Sequence, residues 1–238
     1  MSLGEILSDA VSYPFSDMKK SLIVGILALL AVISNIFSPF ISGNSALLII
    51  LVIIGIIFAV MLSGYGVAVI RNAIRHSDEI PGIDPVTNLV DGIKVAIIGI
   101  VYYIIPIILA VIIGVALGIL GAGLHQLDVM GLIGSLIGII IFVLFTVFEI
   151  VAVARFADTG SLGAALSIGS VIEDAKKVGI LNIILFAIVA IILIVVLSLI
   201  VGVLALIPVI GIIIGLIVFG GFLTLFYYRG IGLLYASA

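Results

Sequence analysis

Glu149 and Arg229 are the residues of this chain whose placement promises most chemistry, because each stands beside or inside a long apolar run where charge is costly. Glu149 lies six residues before Arg155, and Arg229 lies six before Tyr235. Aligned on those helix ends, both fall level with Tyr65, roughly 9 Å inside the membrane edge. The expectation is an intramembrane polar cluster of Tyr65, Glu149 and Arg229 in which the two charges pair. The competing reading is independent groups, with Arg229 snorkelling to the surface and Glu149 accepting a tyrosine hydrogen bond.

No other constellation reaches the threshold for catalysis. His125 and Asp128 are three apart and could both touch a metal, but two ligands do not make a site and a solvated turn accounts for them. His76, beside Arg75 and Asp78, reads as a solvated loop residue. Ser135 could serve as an intramembrane nucleophile only with a base at hand; as a small residue it serves close helix contact. The chain has no His-Glu-x-x-His, no Gly-x-Ser-x-Gly, no phosphate-binding glycine loop ending in Lys, and no Cys. No catalytic residue, metal site or cofactor is therefore expected, and the chain is read as not an enzyme.

The elements that must position these residues are membrane helices. Ser21 to Ile70 and Val178 to Tyr228 run 50 and 51 residues without Asp, Glu, Lys or Arg. A crossing takes roughly 20 helical residues, so each stretch holds two. Val95 to Leu127 and Val129 to Phe148 form a third charge-free pair around Asp128. The composition, 65% hydrophobic and 9% charged, agrees, and the net charge of −3 offers no basic tract for nucleic acid. The reading is an all-α, polytopic membrane protein of six transmembrane helices, at about 21–37, 45–69, 95–120, 131–154, 179–206 and 211–233, arranged as three hairpins in a single integral membrane domain, 1–238. The basic start and apolar run of a cleavable leader are missing from Met1 to Asp9, so the hydrophobic segments are expected to stay in the mature protein.

All nine Lys and Arg flank one end of the hairpins and none lies at the three tips, which places both termini in the cytoplasm. Short amphipathic helices should precede each hairpin at that end. Leu3, Ile6, Leu7, Ala10 and Val11 form an apolar stripe behind a Ser2–Glu5 capping box. After the Asp84 cap and Pro85, the face Val86, Leu89, Val90 and Ile93 should dock into the interface or onto the hairpin ends, leaving Asp84 and Asp91 wet. A weaker stripe starts at Leu162. These segments end in Lys20, Lys94 and Lys177, and with the similar ends at Tyr65–Arg71, Glu149–Arg155 and Arg229–Tyr235 they suggest a pseudo-threefold parallel repeat of units 1–75, 76–158 and 159–238. Glycines four apart, at 114 and 118, 134 and 138, and 211 and 215, are read as contacts packed within the monomer.

Gly64-Tyr65-Gly66-Val67-Ala68-Val69-Ile70-Arg71-Asn72, then Ser77-Asp78-Glu79-Ile80-Pro81 and Asp91-Gly92-Ile93-Lys94, resembles the central signature of the archaeal membrane family called domain of unknown function 4013. The resemblance implies a multi-pass membrane protein of archaeal origin and supplies no activity or site residues. From the interfacial helices and the scarcity of polar residues along the spans, the leading expectation is a non-catalytic component of the cell membrane. It would bind membrane lipid or act as an accessory or scaffold, with another membrane protein or a second copy as alternative partners. A small-solute transporter or channel on the repeat axis is the alternative function, and an intramembrane enzyme a distant third.

Overall fold

The computed structural model describes residues 1–41, 43–124, 127–207 and 210–238, and among these there is no β-strand. The first helix, α1 (Leu3–Ser12), opens on the expected capping box, with Ser2 and Glu5 each bonding the other's backbone N–H. That backbone hydrogen bond from Ser2 holds the exposed Glu5 carboxyl below its usual range. Ile6 and Ala10 are buried, as the stripe requires. A 3-10 turn at Tyr13–Phe15 leads to α2 (Met18–Ala31), capped by Asp17. Its helix stops at Val32, whose φ of −111° and ψ of 14° are not helical, and α3 (Ile33–Phe37) is only one turn more. The first expected span is thus a broken rod of about 20 residues rather than one continuous helix.

The remaining apolar segments are α4 (Ser45–Ile74), α5 (Pro85–Leu124), α6 (Leu127–Thr159), α9 (Ile180–Leu204) and α10 (Ile210–Ala236). These five helices are each long and apolar enough to cross a membrane. Two short helices, α7 (Leu162–Leu166) and α8 (Ile168–Val178), join α6 to α9, with Ala165, Val171 and Ala175 buried. The glycine at the α8–α9 junction, Gly179, has a φ of 89° that a side chain would strain.

The segment after Asp84 departs from expectation. It is not a separate interfacial helix but the first turns of α5, which runs 40 residues without a break. Asp84 caps it through Val86, Thr87 and the Thr87 hydroxyl, and the Thr87 bond holds the Asp84 carboxyl below its usual range. The apolar face is turned away from the protein: Val86 is 73% exposed, and Val90 and Ile93 are about half exposed. Asn88, Asp91 and Gly92 are what it buries. The sign of an amphipathic helix reverses where the surrounding medium is lipid, since apolar side chains then lose nothing by facing outward.

Two helix crossings bring backbones into contact through glycine. Where α4 meets α5, a Cβ on Gly64 would stand 1.7 Å from the Asn88 carbonyl oxygen, and one on Gly92 1.8 Å from that of Val60. Where α2 meets α10, the Gly25 position faces the Ile217 carbonyl at 1.7 Å and the Gly221 position faces that of Ser21 at 2.2 Å. Each crossing uses a pair of residues four apart on both helices, so the two contacts have one design. Between α6 and α9 no such contact forms, and α9 has no glycine before Gly202.

The core lies at the charged end. It gathers Ile6, Val67, Ile70, Ile98, Val151, Phe156, Val171, Ile183, Phe186 and Phe226 from seven helices. Toward the tips the helices separate, and the side chains of α5, α6 and α9 there are mostly exposed. Added Cβ atoms at Gly114, Gly118 and Gly138 would meet nothing within 4 Å, so these glycines are not the packed contacts expected of them; Gly211 and Gly215 are.

Candidate functional site: the charged end and its clefts

Arginines at the ends of three long helices anchor the charged end. Arg71 of α4 pairs with Asp91 of α5 at 3.6 Å, and Lys94 meets the same carboxylate at 3.2 Å. Arg155 of α6 pairs with Asp174 of α8, which Tyr235 also reaches at 3.0 Å. Arg229 of α10 pairs with Asp9 of α1, Nε to Oδ1 at 2.7 Å and Nη2 to Oδ2 at 3.3 Å. In each case an arginine from one helix end holds an aspartate from another segment, and Arg71 and Arg155 also donate to the Ala157 and Ala164 carbonyls.

Arg229 is the most buried of the three, 2% exposed. Asp78 accepts from Nη2 at 2.6 Å, the Ser77 carbonyl from Nη1 at 2.5 Å, and the Tyr13 ring lies under the guanidinium at 4.6 Å. Burial pushes the Tyr13 hydroxyl above its usual range, so it remains a donor, and it gives its proton to the Glu79 carbonyl at 2.9 Å. The expected Glu149–Arg229 pair is therefore replaced: Arg229 is satisfied by Asp9 and Asp78.

Glu149 stays apart from this knot. It shares an α6 face with Thr146 and Phe142, which meet Tyr103 of α5 through a 3.3 Å hydroxyl contact and a stacked ring pair. No ion-pair partner for Glu149 stands among the described residues. Tyr65 is fully buried and joins neither charge; its hydroxyl donates to the Pro81 carbonyl at 3.1 Å.

That bond belongs to a second device absent from the sequence reading. In the segment 77–83 between α4 and α5, four carbonyls are taken by side chains from elsewhere. Ser77 is held by Arg229, Glu79 by Tyr13 and by Asn72 at 2.9 Å, Ile80 by Lys20 at 2.6 Å, and Pro81 by Tyr65. Lys20 also pairs with Glu79 at 3.3 Å. Ser77-Asp78-Glu79-Ile80-Pro81 stands out as a motif, but nothing in the residue types alone shows that its backbone is the recognised group.

Beneath this strap opens a cleft of about 440 Å³, with Lys19 and Lys20 at its mouth and Ile23, Val24 and Tyr65 as its floor. A second groove, about 220 Å³, lies between α2, α9 and α10 and is almost wholly apolar, lined by Phe15, Leu22, Leu197, Val218, Phe219 and Phe222 among others. Ser135 returns its hydroxyl to the Gly131 carbonyl one turn back, and no other side-chain partner for it stands among the described residues. Among the described residues no group of three His, Cys, Asp or Glu could hold a metal, and His125 lies outside them.

Residues 47–206 match a family described as protein of unknown function (DUF4013). No curated protein and no solved structure matches the chain.

Proposed function

The chain belongs to the DUF4013 family, whose function is unknown, and from that starting point we propose that it is a non-catalytic integral membrane protein that holds lipid between its helices. The observation that carries this reading is the apolar groove between α2, α9 and α10, which opens along the spans with scarcely a polar atom in its walls. A solute pathway would need convergent polar groups there, whereas an acyl chain needs none. The separated outer halves of α5, α6 and α9 support the same view, since they leave apolar surface that only lipid or another apolar chain can cover.

The architecture within this proposal is six spans in three hairpins, with α2 and α3 together making the first. Three cyclic pairs support a pseudo-threefold repeat: Arg71–Asp91, Arg155–Asp174 and Arg229–Asp9 each tie the end of one hairpin to the segment leading into the next. The two glycine crossings, α4 on α5 and α10 on α2, relate the same way. The seam between α6 and α9 is the third, left open for want of glycine. The charged end faces the cytoplasm of a cell membrane by the positive-inside rule.

Lipid occupancy is tested on the full chain extracted in mild detergent, by mass spectrometry of the intact complex. One or more lipids should survive delipidating washes, and Val218→Trp, which fills the groove, should release one of them while leaving the melting temperature unchanged. A chain that comes through the same washes bare would end the lipid reading. Orientation is tested separately: Cys placed at Gly43 should react with an impermeant reagent added outside intact cells, and Cys at Gly160 should not. The inverse pattern would overturn the cytoplasmic assignment without touching the lipid result.

A further inference from the structure

We propose that the cleft between α2 and the 77–83 strap is a headgroup site for a phosphate-bearing anionic lipid of the leaflet at the charged end, an inference that rests on the lipid-holding function above. Polarity in this cleft changes with depth as it does across a lipid. Lys19 and Lys20 stand at the mouth, while Ile23 and Val24, about one turn deeper along α2, make an apolar floor. Outside the cleft the apolar surface continues along α2 at Ile26, which is exposed, so a chain leaving the floor passes into hydrocarbon rather than water.

The strap supplies the second half of the site. Its carbonyls at Ser77, Glu79, Ile80 and Pro81 are taken by side chains, while the Ser77 and Glu79 N–H groups bond the Asn72 carbonyl and the Ser77 hydroxyl. Gly82 and Ile83 line the cleft, and their amides have no hydrogen-bond acceptor among the described residues. Two backbone donors without an acceptor and the exposed Lys19, all lining one cleft, supply the kind of anion site that phosphate oxygens satisfy. Asp17 also lines the cleft, but its carboxylate is occupied in capping α2 through the Lys20 amide at 3.0 Å. Lys20 is tied to the strap, so the exposed Lys19 is the cation with freedom to meet the ligand.

The groove between α2, α9 and α10 has no comparable mouth. It should take acyl chains without regard to headgroup, and the strap cleft should select.

The test is a titration of the delipidated, full-length protein in detergent with phosphatidylglycerol, phosphatidylcholine or inorganic phosphate, read by mass spectrometry of the intact complex. Phosphatidylglycerol should bind about fivefold or more tighter than phosphatidylcholine, the preference should shrink with added salt, and Lys19→Gln should remove it at an unchanged melting temperature. Lys19→Arg should keep it. Millimolar inorganic phosphate should not displace the lipid, because the floor contributes to binding; displacement would mean that the site serves a soluble anion. Equal binding of the two lipids, or a Lys19→Gln variant with the preference intact, would overturn the headgroup site. If lipid still survives washing in that case, the broader lipid reading stands.

Discussion

Arg229→Met destabilises the protein by about 3 kcal/mol, the lower end of the cost of removing one partner from a buried charge cluster. The guanidinium is 2% exposed and answers two carboxylates, a carbonyl and the Tyr13 ring, so methionine restores the volume and none of the bonds. The cost stops short of the upper end because the stranded charges are not sealed: Asp9 is 32% exposed and Asp78 85%. Unfolding in detergent, followed by cleavage with a glutamate-specific protease after Glu5 of α1 and Glu79 of the strap, measures the effect. Asp9→Asn combined with Arg229→Met should cost clearly less than the sum of the two singles. Glu149→Gln combined with Arg229→Met should be additive within about 0.5 kcal/mol. Coupling between Glu149 and Arg229 of a kilocalorie or more would contradict the separation of those two charges.

Gly64→Ala should cost about as much, roughly 3 kcal/mol, although it adds one carbon. The new Cβ would stand 1.7 Å from a backbone oxygen and 2.5 Å from a backbone nitrogen of α5, atoms that cannot rotate aside. The helices must part instead, and the Arg71–Asp91 pair parts with them. Gly114→Ala, in the outer half of α5, should be neutral or stabilise by up to about 1 kcal/mol, since its Cβ meets nothing and alanine favours helix. Melting temperatures of the two variants in one detergent decide the matter. A loss at Gly114 equal to that at Gly64 would mean that the outer halves of the hairpins are packed rather than parted.

The membrane class and the spans from α4 onward were legible in the sequence because charge-free length is a coarse signal that survives local error. Span ends at Ser45, Ile180 and Ile210 agree with expectation within a residue or so. The break at Val32 was not legible, since nothing in Ala31-Val32-Ile33 differs from the apolar residues around it. The polar cluster was misplaced for a similar reason. Aligning Arg229 with Tyr65 rather than with Arg71 slips α10 by about two turns, and in a run of Ile, Val, Leu and Gly either register reads equally well. Within the proposed repeat, the pairs set a register in which Arg71, Arg155 and Arg229 correspond, as do Asp9, Asp91 and Asp174. The near-equal spacing of those aspartates, 82 and 83 residues, was available in the sequence and is the signal that would have found the ring of pairs. Val86, Leu89, Val90 and Ile93 were recognised as one face, but periodicity cannot say whether a face meets protein or lipid.

The pairing of Arg229 with Asp9 joins groups 220 residues apart, and the Gly25–Ile217 and Gly221–Ser21 contacts are nearly as distant. On a ribosome adding about 5–20 residues per second, Asp9 and α2 wait roughly 10 to 45 s for the partners that complete them. Through that interval α2 lacks its crossing with α10, and Asp9 lacks its arginine. Assembly is accordingly a closing event governed by the last helix to be made. Chains stalled before α10 would keep α1 and the strap open to proteolysis, a difference that separates finished molecules from unfinished ones.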